Sequence, residues 1–191
     1  MVMTSPPTVL LVEDEQGLAD LYVLWLDEEY DVRTAYSGED ALELIDADVD
    51  AVLLDRRMPG LSGDDVLEEI RKRGYDCPVA MVSAVTPDFE IAEMPFDAYL
   101  RKPIERDQLQ EAIDQLLLLA EYDEQQREVF ALAQKKATLE AETAPEDRDA
   151  SSEYAKLTTR LDTLRNASSQ TISEMDPDTL TVAFSERSDP Q

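Results

Sequence analysis

The stretch that most constrains this chain is Ala51-Val52-Leu53-Leu54-Asp55-Arg56-Arg57-Met58-Pro59-Gly60. Four apolar residues run without interruption into an aspartate, two arginines and a Met-Pro-Gly turn. A short unbroken apolar run predicts a strand buried on both faces, the situation of a parallel sheet covered by helices on each side. Ligands bind such sheets at the C-terminal ends of their strands, which is where Asp55 stands. A lone Asp there is equally explained as a strand end satisfied by the amides of the next turn, so its meaning depends on what the other strands bring.

They bring the same pattern. Thr8 to Val12 is a second apolar run, ending in Glu13-Asp14-Glu15. Glu15 to Glu28 places Leu18, Leu21, Tyr22, Trp25 and Leu26 at helical spacing, expected to face the core. Asp31 to Tyr36 alternates as a strand does, and Ser37 caps a helix running to about Asp46. After Gly60, Ser62-Gly63-Asp64-Asp65 opens a helix with acids in its first turn, Arg71, Lys72 and Arg73 in its last, and Gly74 as the stop. Pro78 to Val82 leads into Ser83, Phe96 to Leu100 leads into Arg101-Lys102-Pro103, and Arg106 to Ala120 is helical. Between Pro87 and Pro95 there is room for only about two helical turns.

Strand and helix alternate five times, which predicts a doubly wound α/β fold with a five-stranded parallel sheet in the flavodoxin-like order 2-1-3-4-5. The switch point of that order lies between the first and third strands. Glu13, Asp14 and Asp55 therefore converge on one crevice.

Charge narrows the function classes. Asp and Glu total 44 against 17 Lys and Arg, a net charge of −27. That field repels nucleic acid, and the densest basic cluster, Arg71-Lys72-Arg73, is flanked by acids. Neither direct DNA binding nor a membrane span is expected, and so large a self-repulsion suits a cell in which concentrated salt screens it. There is one cysteine, Cys77, expected to pack as a small apolar residue, and no histidine. An internal disulfide and a histidine-based zinc site are thereby excluded, and a cytoplasmic location is expected.

Beyond Ala120 the composition changes. Residues 121–168 are expected to form a helical hairpin: Tyr122 to Glu142 carries Val129, Phe130, Ala133 and Ala137 on a stripe, a break falls at Thr143 to Asp147, and Tyr154, Leu157, Leu161 and Leu164 form a short seam. The two stripes are expected to cover each other, or the seam to pair across a homodimer. Residues 1–7 and 169–191 are expected to be disordered, with Thr179 to Phe184 a weak strand candidate. From Glu121 onward 16 acids face 8 bases, which again disfavours phosphate contacts.

Clustered carboxylates without sulfur or imidazole favour a hard cation, and with few ligands that cation is Mg²⁺. A nucleophilic carboxylate forms an acyl phosphate, and its phosphoryl oxygens need cations and hydrogen-bond donors. Lys102 and Ser83, each near a strand end, supply a point charge and a hydroxyl.

In order along the chain, Val12-Glu13-Asp14-Glu15, Asp55 to Gly63, Ser83-Ala84 and Tyr99-Leu100-Arg101-Lys102-Pro103 together resemble a response-regulator receiver domain, spanning residues 8–120. The resemblance implies Asp55 as phosphoacceptor for a sensor histidine kinase. It implies Mg²⁺ held by Glu13, Asp14, Asp55 and the backbone carbonyl of Arg57. Ser83 would be the switch hydroxyl, with Thr86 its rival, and Ala84 the small neighbour that leaves space for the phosphoryl group. Tyr99 would be the switch aromatic, an ordinary strand aromatic being the competing reading. Lys102 would be the conserved-type lysine, followed by a cis bond to Pro103.

Tyr122-Asp123-Glu124-Gln125, Phe130-Ala131-Leu132-Ala133, Lys136 to Glu140 and Tyr154 to Leu157 resemble the HalX region attached to receivers of halophilic archaea. If it serves transcription, contact with a protein of the transcription machinery is expected. Two other classes compete with a signalling protein. A carboxylate-nucleophile phosphatase of related fold needs an acid two residues after its nucleophile, where this chain has Arg57. A phosphorylation-independent interaction module has no need of Glu13, Asp14, Ser83 and Lys102 together. The side chains of Arg56 and Arg57 are expected to be solvated or paired with nearby acids.

Overall fold

The structure, a computed structural model, describes residues 5–120 and 124–172. The expectations for residues 1–4, for Tyr122 and Asp123, for the tail from 173 and for the Thr179–Phe184 strand lie outside the described residues. Pro7 is already engaged, its carbonyl accepting from Asp31 N at 2.9 Å.

Five parallel strands form one sheet: β1 (Thr8–Val12), β2 (Asp31–Ala35), β3 (Ala51–Asp55), β4 (Val79–Ser83) and β5 (Ala98–Arg101). Their order is β2-β1-β3-β4-β5, as the alternation predicted. The register pairs Val12 with Leu54, Asp55 with Val82 and Ser83 with Arg101, so the C-terminal ends of β1, β3, β4 and β5 finish at one edge. Every residue of β3 and β4 is buried, which explains their unbroken apolar text.

The helices in chain order are α1 (Gln16–Leu26), α2 (Gly38–Leu44), α3 (Gly63–Lys72), α4 (Arg106–Ala120), α5 (Glu124–Glu142), α6 (Pro145–Ala150) and α7 (Ser152–Ile172). Ser37 caps α2 and Ser62 opens α3 with a complete capping box to Asp65. Gly74 takes the left-handed conformation just past α3, at φ 78°. In the Pro87–Pro95 connection there is only a 3₁₀ helix, Phe89–Glu93.

Strand alternation divides the interior in two. Val9, Leu11, Ala51, Leu53, Ala80 and Val82 face α1 and α4. Leu10, Val12, Val52, Leu54, Val79 and Met81 face the side of α2, α3 and the 3₁₀ helix. On α1, Tyr22 and Leu26 are buried as expected, but Leu21 is 39% exposed and Ala19 takes its place against the sheet.

The C-terminal helices form the expected hairpin and depart from expectation in what else they cover. α5 and α7 do pair, and antiparallel: Arg160 reaches Glu128 at 2.8 Å while Tyr154 Oη donates to Glu140 at 2.8 Å. The reversal is not a simple break, since Pro145 begins the short helix α6. The pair also lies on the sheet side left open by the short 3₁₀ helix, α7 against that helix and α5 against both it and β5. Leu132, Leu139, Leu157, Leu161 and Leu164 join the same continuous core as Val52, Met81 and Phe96.

Three expectations are corrected accordingly. The Leu157-Leu161-Leu164 seam is covered within the chain rather than left for a second copy. On α5, Ala137 is exposed, and the buried line runs Leu132, Lys135, Leu139 because the helix faces β5 as well as α7. α7 continues to Ile172, past the expected limit at 168.

Candidate functional site

β1 and β3 are neighbours, and both end in carboxylates at the same edge. Oxygen atoms of Glu13, Asp14 and Asp55 lie within 4.8 Å of one another. Glu13 is 2% and Asp55 5% exposed, while Asp14 is open to solvent. Lys102, just beyond β5, places Nζ 2.7 Å from Asp55 Oδ2 and 2.7 Å from Glu13 Oε2. The other Asp55 oxygen accepts from the Arg57 backbone N–H at 2.9 Å.

These distances set the electrostatics. Burial raises the Glu13 carboxyl, and the Lys102 hydrogen bond only partly opposes it. Burial also works against the Lys102 ammonium, but its bonds to Asp55 and Glu13 hold its pKa above the usual lysine value. Three carboxylates against one ammonium leave the crevice net negative. An all-oxygen donor set with one open acid fits a small hard dication such as Mg²⁺, which keeps water among its ligands.

The remaining residues surround this group. Ser83 is fully buried at the end of β4, and its Oγ accepts from Val85 N at 3.1 Å. Ala84 follows it and is exposed, as is Thr86, which lies past the strand end. Tyr99 is half-buried and its hydroxyl donates to the Val85 carbonyl at 3.0 Å. The Lys102–Pro103 peptide bond is cis.

Gly63 holds α3 against the site. A Cβ there would lie 2.2 Å from the Asp55 carbonyl oxygen and 2.8 Å from the Arg56 Cα. Only glycine permits that approach of helix start to strand end.

Of the two arginines expected to be solvated or paired with nearby acids, Arg57 is exposed and Arg56 is paired, with only 4% of it exposed. Its Nε lies 3.0 Å from Asp64 Oδ1, and its Nη2 3.4 Å from Glu90 Oε2. Burial opposes the guanidinium, and Asp64, with a smaller contribution from Tyr99, keeps its pKa raised. The signal was available in the sequence. Position 56 continues the row of Val52 and Leu54, so its side chain is directed to the α3 side of the sheet.

Lys135 was missed. It is 6% exposed, donates to the Met94 carbonyl and lies 4.9 Å over the Phe96 ring. No local pattern on α5 points to it, because its surroundings come from residues about 40 positions earlier in the chain.

Among the described residues no helix is long and apolar enough to cross a membrane. The chain matches the family model of the response regulator receiver domain over residues 9–114 and that of the HalX domain over 118–184. It is 49% identical over 158 residues to a "Putative transcriptional regulator" of Haloferax volcanii, covering 82% of this chain. The match spans only 27% of that relative's length. Among solved structures it resembles the signal receiver domain of a "putative Luxo repressor protein" from Vibrio parahaemolyticus. That pair is 31% identical with a TM-score of 0.56, covering 61% of this chain and 93% of the other. A CheY-like response regulator receiver domain from Methanospirillum hungatei is 26% identical with a TM-score of 0.57, covering 61% of this chain and 98% of the other. With its five-stranded sheet in the order 2-1-3-4-5 and its acidic crevice at the end of β1 and β3, this chain belongs to the response-regulator receiver family, and a HalX domain follows the receiver.

Proposed function

We propose that this protein is a cytoplasmic two-component response regulator that accepts a phosphoryl group on Asp55 from a sensor histidine kinase. The observation that carries the reading is the convergence of Asp55, Glu13, Asp14 and Lys102, with Lys102 already bridging the two buried acids at 2.7 Å each. In the transfer, an Asp55 carboxylate oxygen forms a bond to phosphorus and the phosphorus–nitrogen bond of the donor phosphohistidine breaks, its electron pair returning to the imidazole.

Glu13, Asp14, Asp55 and the Arg57 carbonyl are the residues that would hold Mg²⁺. When bound, the ion neutralises charge on the phosphoryl oxygens as they approach the acids. Lys102 exchanges its Asp55 contact for a phosphoryl oxygen. The Ser83 hydroxyl turns from Val85 to donate to another, and the small side chain of Ala84 leaves room for the group. Tyr99, bonded to the same Val85, is placed to respond.

The protein acts as a signalling switch and not as a turnover enzyme. The position that a related phosphatase needs for its acid is Arg57, whose side chain is exposed. Output passes through the C-terminal helices to a protein partner in transcription rather than to DNA. A homodimer would have to use a surface other than the buried Leu157-Leu161-Leu164 seam.

The test is incubation with Mg²⁺ and a small acyl phosphate in molar salt, followed by intact mass. The parent should gain one phosphoryl group, and only when Mg²⁺ is present. Asp55→Asn should gain none. Equal labelling of the two proteins would refute the assignment.

A further inference from the structure

We infer that Arg56 is a positioning residue that carries the state of the Asp55 site to the 3₁₀ helix, and that α5 and α7 form a cover on that helix and β5 which loosens when Asp55 is phosphorylated. The inference rests on the phosphotransfer reading above and adds its read-out.

Arg56 directly follows Asp55, and its backbone N–H is bonded to the Val82 carbonyl at 2.8 Å. Its side chain leaves the site on the opposite face of the strand. A buried guanidinium is costly unless its donors are paired. Here the pairing comes from two separate elements: Asp64 at the start of α3 and Glu90 in the 3₁₀ helix. Glu90 is 75% exposed at its side chain, so this end of the bridge is the weaker one and the one free to change.

A second line reaches the same place. Val85 donates its N–H to Ser83 Oγ and accepts the Tyr99 hydroxyl on its carbonyl. If the Ser83 hydroxyl turns to a phosphoryl oxygen, Val85 N loses its acceptor and the loop holding Tyr99 is released. Tyr99 adjoins both Arg56 and Phe96, the two rings lying 5.9 Å apart.

What rests on these groups is the C-terminal cover. Phe96 lies under Lys135 of α5, whose ammonium is held by the Met94 carbonyl just after the 3₁₀ helix. Phe89 meets Tyr154 of α7 edge-on with ring centres 6.4 Å apart. Glu142 of α5 chelates Arg101 of β5 at 2.8 and 2.9 Å. The 3₁₀ helix itself is five residues long, too short to be stable without neighbours on both sides. It is therefore the element whose packing Arg56 and Tyr99 bias from within and α5 and α7 from outside.

The experiment is hydrogen–deuterium exchange with mass spectrometry on the full chain in molar KCl and Mg²⁺, with and without a small acyl phosphate. Intact mass records phosphorylation in the same samples. In the parent, exchange in Glu124–Glu142 and in α7 should quicken by about fivefold or more on phosphorylation, the low end of ordinary allosteric coupling. Arg56→Met, which fills the same space without charge, should take up the phosphoryl group to the same level while the helix response falls below about twofold. Glu90→Gln alters only the exposed end of the bridge, is expected to fold as the parent does, and should reduce the response at least about twofold.

A phosphorylated parent with unchanged helix exchange would overturn the inference while leaving the phosphotransfer reading intact. So would a full response in either variant. A parent that gains no phosphoryl mass refutes the phosphotransfer reading, and the inference falls with it.

Discussion

Replacing Leu161 by alanine tests whether the C-terminal helices and the receiver share one core. Leu161 is 1% exposed and belongs to the cluster that contains Val52, Met81 and Phe96. The change removes three carbons, about 2.4 kcal/mol at about 0.8 kcal/mol for each buried methylene. A residual cavity adds to this, and Leu→Ala losses in cores run about 2–5 kcal/mol in total. Taking about 3 kcal/mol, and about 2–4 °C per kcal/mol for a chain of this size, the melting temperature should fall by about 6–12 °C. Trp25 is the sole tryptophan and lies on α1, on the far side of the sheet from α7. Its fluorescence therefore reports unfolding of the receiver from a position that Leu161 does not touch. In molar KCl the Trp25 transition should move by the full amount, and Leu24→Ala, 72% exposed at the parent residue, should move it by no more than about 2 °C. If far-ultraviolet dichroism shows an earlier, separate helical transition while the Trp25 midpoint stays in place, the shared core is refuted.

Gly63→Ala should lower stability by about 1–3 kcal/mol and slow phosphoryl uptake, since the new methyl meets the Asp55 carbonyl and Arg56 backbone rather than a movable side chain; uptake and a melt equal to the parent's would contradict this. Lys135 faces Asp97, Glu128 and Arg71, and burial drives its pKa down from 10.5 to about 8. Between those values the unfolded chain binds the extra proton, so the Lys135 contribution to stability rises with pH across that window, by about 3 kcal/mol for the full shift. The melting difference between the parent and Lys135→Met, followed from about pH 8 to 10.5, should grow in the parent's favour; a flat difference rejects the buried-lysine account. At a net charge of −27 the protein should melt earlier as molar salt is diluted, because the screening length grows from about 3 Å at 1 M to about 30 Å at 0.01 M. A melting temperature independent of salt would show that the exposed acids do not strain the fold.

Much of the receiver could be read without coordinates because its determinants are local. The unbroken apolar run at β3 announced a strand buried on both faces, and it is one. Ser37 and Ser62 marked helix starts by a side chain that accepts from a backbone N–H three residues on. Pro87 and Pro95 left space for only about two helical turns, and a five-residue 3₁₀ helix lies between them. The convergence of Glu13, Asp14 and Asp55 needed only one further step: parallel strands with right-handed crossovers bring the ends of β1 and β3 together.

What covers a surface is a different kind of question. Periodicity told that α7 has an apolar seam at Leu157, Leu161 and Leu164, but a seam is satisfied equally by α5, by a second copy or by the receiver. The tertiary structure decided for the receiver and α5 together, because the short 3₁₀ helix leaves one side of the sheet open and the helices complete that core. The same choice turned α5, exposing Ala137 and burying Lys135 against Phe96 and the Met94 carbonyl. It also gave Arg56 its partners: between solvation and pairing with nearby acids, the fold chose pairing, with Asp64 of α3 and Glu90 of the 3₁₀ helix. Local sequence determined the strands, the caps and the acids of the site, since backbone sterics and burial on a strand act over a few residues. The partners of Arg56, Lys135 and the leucine seam were set by the closing of the fold, where contacts between distant segments compete and only the packed arrangement selects among them.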